Sequence, residues 1–301
     1  MTPARSSLGP ILLGTVVVPD LDSATRAYTE SLGFVVQAEG VVDVDLASLW
    51  RAPRATGARL RLVGSTATRG GGVRLVERDR PVTGSPLHVP GWRALEICVS
   101  DLQAVRARLE GSPFTVLGEP ASLGGGSPIW ALQATGPGRE MLYLTLTVPD
   151  TGFDLPLAEH LVDRMFVAVM SAPRVEEAAD WFVRHFAAES VLPPETYVLT
   201  AVSRDAGLPP ERAYAITALA LEGRSLVEID AHFPEHLDAQ PPTDDLRSGI
   251  ASITWEVDSL DAVCGLLLAE PVRRAELPYC GRRVAVAVGP AGELHELVER
   301  A

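Results

Sequence analysis

The 301-residue chain contains no lysine and no asparagine, so every side-chain cation is an arginine or a histidine. That absence excludes a Schiff-base lysine, a phosphate-loop lysine and N-linked glycosylation. The exclusive use of arginine reads as coding bias rather than stability design. Cysteine is scarce: Cys98, Cys264 and Cys280 stand apart with no Cys-x-x-Cys pair. A disulfide framework and a structural zinc ribbon are therefore not indicated, and a reducing cytoplasm is the expected compartment. Positive charge is short as well, with 26 basic residues against 39 acidic ones and a net charge of -13. Such a surface repels phosphate backbones, so nucleic acid is not an expected partner. No window approaches the roughly 20 uninterrupted apolar residues of a membrane span. Met1 to Pro10 carry one Arg and no sustained apolar stretch, which does not read as a signal peptide. What is present is core material: at 47% hydrophobic and 22% charged, the chain is long enough to bury two ordinary cores.

Internal repetition organises the chain. Four segments share one grammar of apolar strand, short acidic or proline-bearing turn and amphipathic helix: Leu12 to Leu21, Ala94 to Leu102, Arg164 to Met170 and Ser252 to Leu260, each followed by its helix. Asp20, Asp101 and Ser259 stand where a helix N-cap is wanted, and Gly33 stands where the first helix should stop. In the fourth segment the helix is expected over Ala262 to Leu268. Further β-type runs follow each helix, for example Arg59 to Val63, Val73 to Val76, Met141 to Thr147, Leu226 to Ile229 and Leu294 to Val298. The unit is βαβββ, used four times, which predicts an α+β fold of four modules. The expected organisation is an N-terminal module pair over 1–148, a linker over 149–160 rich in Pro, Asp and Gly, and a C-terminal pair over 161–301.

Val16-Val17-Val18-Pro19-Asp20-Leu21, with Tyr28 and Leu32-Gly33-Phe34, resembles the opening strand, aspartate turn and helix end of the vicinal oxygen chelate superfamily. This group includes glyoxalase I, extradiol dioxygenases, fosfomycin-resistance enzymes and bleomycin-binding proteins. Gly292-Glu293-Leu294-His295-Glu296-Leu297-Val298-Glu299 resembles its closing strand. The resemblance covers nearly the whole chain and implies that each module pair forms a cupped mixed sheet with a ligand cavity. It says little about the reaction, because the fold hosts many chemistries. Metal-using members place a His on the first strand of a module and a Glu on the last. Mapped here, the first-strand positions are Leu13, Ala94, Ser252 and either Met165 or Val167, and none is a histidine. The last-strand positions are Arg74, Leu142, Glu296 and either Val227 or Glu228. A lone Glu296 beside Ser252 and apolar neighbours does not make a divalent site. No metal and no other cofactor is expected.

Strand side chains alternate with period two, so Thr15, Glu96, Cys98, Thr254, Glu256 and Glu296 are expected to point into the cups. A carboxylate in the middle of Ala94-Leu95-Glu96-Ile97-Cys98-Val99 is either paired or functional, because burying it alone costs several kcal/mol, in order of magnitude, or raises its pKa. Two readings stay open: a structural ion pair with Arg74, or a general base with Arg74 holding an enolate oxygen. Glu256 and Glu296 form a second candidate acid–base pair, or a remnant carboxyl network. Thr15, Cys98, Trp130, Tyr143, Ser252 and Thr254 are the candidate substrate contacts, with Cys98 more easily read as core than as nucleophile. His232 and His236 read as a solvated loop because Pro234 separates them, and His88, His160 and His185 form no constellation. Gly70 to Gly72 and Gly124 to Gly126 read as hairpin turns.

The leading expectation is a metal-independent isomerase, epimerase or lyase that moves a proton on a small apolar or aromatic carbonyl compound. The alternatives are a non-catalytic protein that sequesters a hydrophobic metabolite or antibiotic, and a metal-dependent extradiol-type dioxygenase. The expected partner is a small molecule, with no nucleic acid and no membrane, and homodimer formation stays open.

Overall fold

A computed structural model describes residues 6–66, 70–78, 89–122, 127–149, 151–205, 207–231 and 244–301. The first module is β1 (Leu8–Val18), α1 (Leu21–Arg26), β2 (Val35–Val41), α2 (Val44–Leu49), β3 (Arg59–Gly64) and β4 (Gly72–Glu77). The second is β5 (Gly91–Val99), α3 (Leu102–Leu109), β6 (Thr115–Val116), β7 (Ala121–Ser122), β8 (Trp130–Thr135) and β9 (Met141–Leu146). The third is β10 (Val162–Ala172), α4 (Val175–Phe186), β11 (Glu189–Val198), α5 (Thr200–Asp205), β12 (Ala213–Leu221) and β13 (Ser225–Ala231). The fourth is β14 (Gly249–Val257), β15 (Val272–Arg273), β16 (Arg283–Val288) and β17 (Leu294–Glu299).

The local signals act as their chemistry dictates. Asp20 Oδ1 accepts from the Ser23 amide, and Asp101 Oδ1 accepts from the Gln103 and Ala104 amides, so both carboxylates satisfy orphan donors at a helix start. The first helix closes at Leu32, and Gly33 follows with φ of 75°, a left-handed value that costs glycine nothing. The helix expected over Ala262 to Leu268 is instead a 3-10 segment, Asp261–Leu266, with Val263 off helical geometry. A β-branched valine and an interior Gly265 are poor helix formers, although Ser259 Oγ does accept from the Ala262 amide.

The strands form two mixed sheets, ordered β15-β16-β17-β14-β1-β4-β3-β2 and β11-β12-β13-β10-β5-β9-β8-β6, with β7 against β8. Here the expected pairing is corrected. β1 runs antiparallel to β14, and β5 antiparallel to β10, so the first cup joins modules one and four and the second joins modules two and three. Chain adjacency does not dictate this choice, and electrostatics favours it. Buried Arg74 meets Glu296, and buried Arg93 meets Asp230, each across the two halves of the chain. Pairing within halves would separate these charges and leave them uncompensated.

One apolar core lies between the sheets, contributed by Val16, Leu95, Ile97, Ala168, Ile253 and Trp255 among others. Each cup has its own smaller cluster on the opposite sheet face. Tyr28 ties the first module to the second: its hydroxyl donates to Glu140 Oε1 over 2.7 Å, in the turn before β9. Burial pushes Glu140 up to about 7, above its ordinary 4.5. The folded protein therefore holds a proton that the unfolded chain releases above pH 4.5. This group's contribution to stability falls as pH rises from 4.5 to about 7 and is flat above that. Urea unfolding at about pH 5 and about pH 7.5 should show Glu140→Gln losing part of this pH dependence. An unchanged slope would remove Glu140 as a proton-linked group.

Candidate functional site

In the first cup, register places Thr15 beside Arg74 and Thr254 beside Glu296. The Arg74 guanidinium forks onto the carboxylate, with Nη2 to Oε1 at 2.7 Å and Nη1 to Oε2 at 3.2 Å. Thr254 Oγ1 adds a bond to Oε1 at 2.8 Å and Trp50 Nε1 one to Oε2 at 2.6 Å. Arg74 also lies over the Trp50 and Tyr279 rings, at 5.1 and 5.7 Å from their centroids. Burial pushes the Glu296 carboxyl up, but the charge and hydrogen bonds of Arg74, with Trp50 and Thr254, outweigh it and hold it below its ordinary range. Thr15 and Ser252 are buried here with unpartnered hydroxyls.

This arrangement overturns two expectations. Arg74 does not face Glu96; it belongs to the other cup and is already neutralised. Glu256 does not pair with Glu296 either: it sits at the rim, bonded to Arg282 and 3.6 Å from Arg300. The first cup also does not suit the family's metal. Both oxygens of Glu296 are taken, a guanidinium stands where a cation would, and among the described residues no imidazole faces it. Among the described residues no group of three or more His, Cys, Asp or Glu is placed to hold a metal ion.

The second cup is different. Register places Glu96 beside Tyr143, and Val169 beside Glu228, so Tyr143 and Glu228, not Leu142 and Val227, take the last-strand positions. Leu142 and Val227 point into the core between the sheets. Glu96 is 6% exposed and accepts from Thr145 Oγ1 at 2.7 Å. Burial pushes it up to about 7, opposed by the Thr145 bond and helped by the negative charge of Asp230. No ion pair reaches Glu96 among the described residues. Arg93 is committed to Asp230 at 2.8 Å, both buried. A register shift between Ala94 and Trp92 on β5 marks a bulge at Arg93. Glu228 is held well above its ordinary value by burial and then by the charges of Asp230 and Glu96. Tyr143 is buried with its hydroxyl unpartnered.

Cys98 lines the same cup with no exposure, and its Sγ donates to the Arg164 carbonyl. Burial pushes its thiol up to about 11, away from the thiolate a nucleophile needs. Cys264 and Cys280 are exposed. A thiol reagent at neutral pH should therefore titrate both of these in the native protein and reach Cys98 only after unfolding. Fast native labelling of Cys98 would contradict its burial. Trp130 does not line the cup. It shares strand parity with Leu132 and Ala134, whose side chains enter the core, and it is 44% exposed.

Glu228 was an open alternative in the sequence, whereas Asp230, Arg93, Thr145, Trp50 and Tyr279 were not read as site residues. The alternation Leu226-Val227-Glu228-Ile229-Asp230 is the signal that could have found the two acids. His160 Nε2 lies 3.3 Å from Thr66 Oγ1, and His185 packs on Trp181. His88, His232, His236 and Gly124 to Gly126 lie outside the described residues. His295 and Glu293 form a buried pair, 3.0 Å apart, among Trp92, Trp181 and Phe182 on the core side.

No family model and no curated protein matches the chain. Solved structures do. Glyoxalase I from Zea mays is similar over 98% of this chain and 93% of its own, at 16% identity and a TM-score of 0.65. A provisionally assigned dioxygenase from Bacillus subtilis subsp. subtilis str. 168 is similar over 98% of this chain and 86% of its own, at 14% identity and a TM-score of 0.63. The fold is that of the vicinal oxygen chelate superfamily. At these identities the likeness extends to the fold alone, and the vicinal oxygen chelate fold leaves the chemistry to the side chains in its cups. No described helix is long and apolar enough to cross a membrane.

Proposed function

We propose that the second cup is the working site and that the protein is a proton-transfer enzyme acting on a small apolar or aromatic carbonyl compound, as an isomerase, epimerase or lyase. The observation that carries this reading is Glu96. It is a buried carboxyl with no cation neutralising it, one hydrogen bond from Thr145 orienting it, and an affinity for protons raised to about 7. A base with that value can both take and return a proton near neutral pH. Glu96 removes the hydrogen beside the carbonyl, and the free Tyr143 hydroxyl, next to it in register, donates to the oxygen that becomes negative. The Arg93–Asp230 pair and Glu228 complete the polar floor, with apolar walls from Met141, Val167 and Ile216 excluding water. The first cup, closed by its ion pair, is a structural half. No metal step is assigned to the first cup, because Arg74 occupies both oxygens of Glu296 there.

The partner is accordingly a small molecule and the compartment the cytoplasm, with no role for nucleic acid or membrane. The direct test is solvent deuterium exchange into a panel of small ketones, aldehydes and thioesters, followed by NMR with wild type and Glu96→Gln. Exchange that depends on Glu96 supports the enzyme. Exchange unaffected by the substitution removes Glu96 as the base. A ligand retained under native mass spectrometry without any exchange favours the sequestering protein instead.

A further inference from the structure

The second cup holds an excess of acid that its architecture does not neutralise. Among the described residues, Glu96, Glu228 and Asp230 share it with one cation, Arg93, and that cation is already bonded to Asp230. The buried Tyr143 hydroxyl has no partner there, and Asp230 Oδ1 has none beyond the neighbouring Glu228 carboxyl, with which Asp230 shares a hydrogen bond, so the floor offers polar contacts to something else. Leu226, Val191 and Leu155, which belong to the apolar cluster of the cup, also line a cleft of about 670 Å³. The cleft repeats the imbalance: Asp154, Glu189 and Glu222 line it with Arg224, which pairs with Asp154 at 2.9 Å. An anionic ligand would meet like charge in the cleft, whereas a cation is drawn toward it and favours the charged form of the acids in the cup.

We propose that the second cup binds a protonated amine carried on an apolar or aromatic body, the ammonium received by Glu228 and Asp230 and the apolar part lying along Leu155, Val191 and Leu226. This deepens the reading above, since it names the ligand class of the same cup. The ammonium occupies the β13 side, which leaves Glu96 on β5 facing the carbon it deprotonates. Burial and the neighbouring acids raise the proton affinity of Glu228 and an ammonium beside it favours the carboxylate, so binding is coupled to proton release. The described groups around Glu228 are Asp230 on its own strand, Glu96 and Arg93 on β5, Tyr143 on β9, and Tyr197 with its bonded Glu195 on β11. Of these only Arg93 opposes protonation of Glu228, and its own bond to Asp230 limits that effect.

Isothermal titration of the whole protein with phenethylamine, phenylethanol and phenylacetate, in buffers of different ionisation enthalpy, tests this. At about pH 8 the amine should bind at least about tenfold more tightly than the alcohol or the acid, the size of one charge-assisted contact. It should release a proton to the buffer and bind more tightly as pH rises. Glu228→Gln should lower amine affinity by about tenfold, more than it changes alcohol affinity, and abolish the proton release. Alcohol or acid binding as tightly as the amine, no proton release, or no amine binding at millimolar concentration overturns the proposal. If Glu228→Gln does not fold, the ligand ranking and proton count of the wild type decide. Titration involves no turnover, so the two readings fail separately: amine preference with Glu96-independent exchange removes the base alone, and Glu96-dependent exchange without amine preference removes the ligand class alone.

Discussion

Glu96→Gln should lower deuterium exchange into the substrate by about two to four orders of magnitude, the range lost when a positioned general base is removed. The substitution keeps shape and the Thr145 contact while deleting the carboxylate that faces Tyr143 in the second cup. In the wild type the exchange rate should rise with pH and level off above about 7, as Glu96 gives up its proton and becomes competent. The variant should show no such rise. A Glu96→Asp variant, which restores the carboxylate but withdraws it by one methylene, should recover part of the rate and keep the pH profile. A purely structural Glu96 would instead give variants whose rates track their melting temperatures. Equal rates for wild type and Glu96→Gln on an accepted substrate would end the carboxylate mechanism.

Arg74→Met carries the largest expected effect on stability. Removing the guanidinium strands Glu296 in a site with no exposure, and breaking a buried pair from one side costs about 3–5 kcal/mol. Glu296→Gln should cost a comparable amount, because it leaves the buried Arg74 guanidinium without a counter-charge. The double variant Arg74→Met/Glu296→Leu should recover most of the loss, because two apolar groups of similar volume need no counter-charge. Urea unfolding of the four proteins measures the coupling. The folded Glu296 value lies below the unfolded one, so the pair's contribution is complete above pH 4.5 and is lost as pH falls through the folded value. The wild type should therefore lose stability toward acid more steeply than the double variant. If the single variants melt together with the wild type, the first cup is not held by this pair.

What could be read along the chain followed how local each signal was. Asp20 and Asp101 cap helices two or three residues away, so their role needs no tertiary knowledge. Glu96 was recognisable because a carboxylate in the middle of an alternating apolar strand has few places to go. Glu228 stayed ambiguous because an extra residue in the turn of the third unit blurs its register by one position, and one position changes the sheet face. Arg93 could not be found, since the bulge that accompanies it depends on how β5 meets β10. Arg74 was placed in the correct kind of position with the wrong partner, because its partner depends on which modules share a sheet.

The sequence by itself determined the four repeated units, the helix starts at Asp20 and Asp101 and the inward-facing acid at Glu96. Each follows from side-chain periodicity and capping, which act within a few residues. Only the tertiary structure decided that the first module joins the fourth and the second joins the third. Long-range strand pairing depends on burial and charge compensation across more than a hundred residues. That pairing gave Arg74 to Glu296 and Arg93 to Asp230, and left Glu96 with no cation among the described residues.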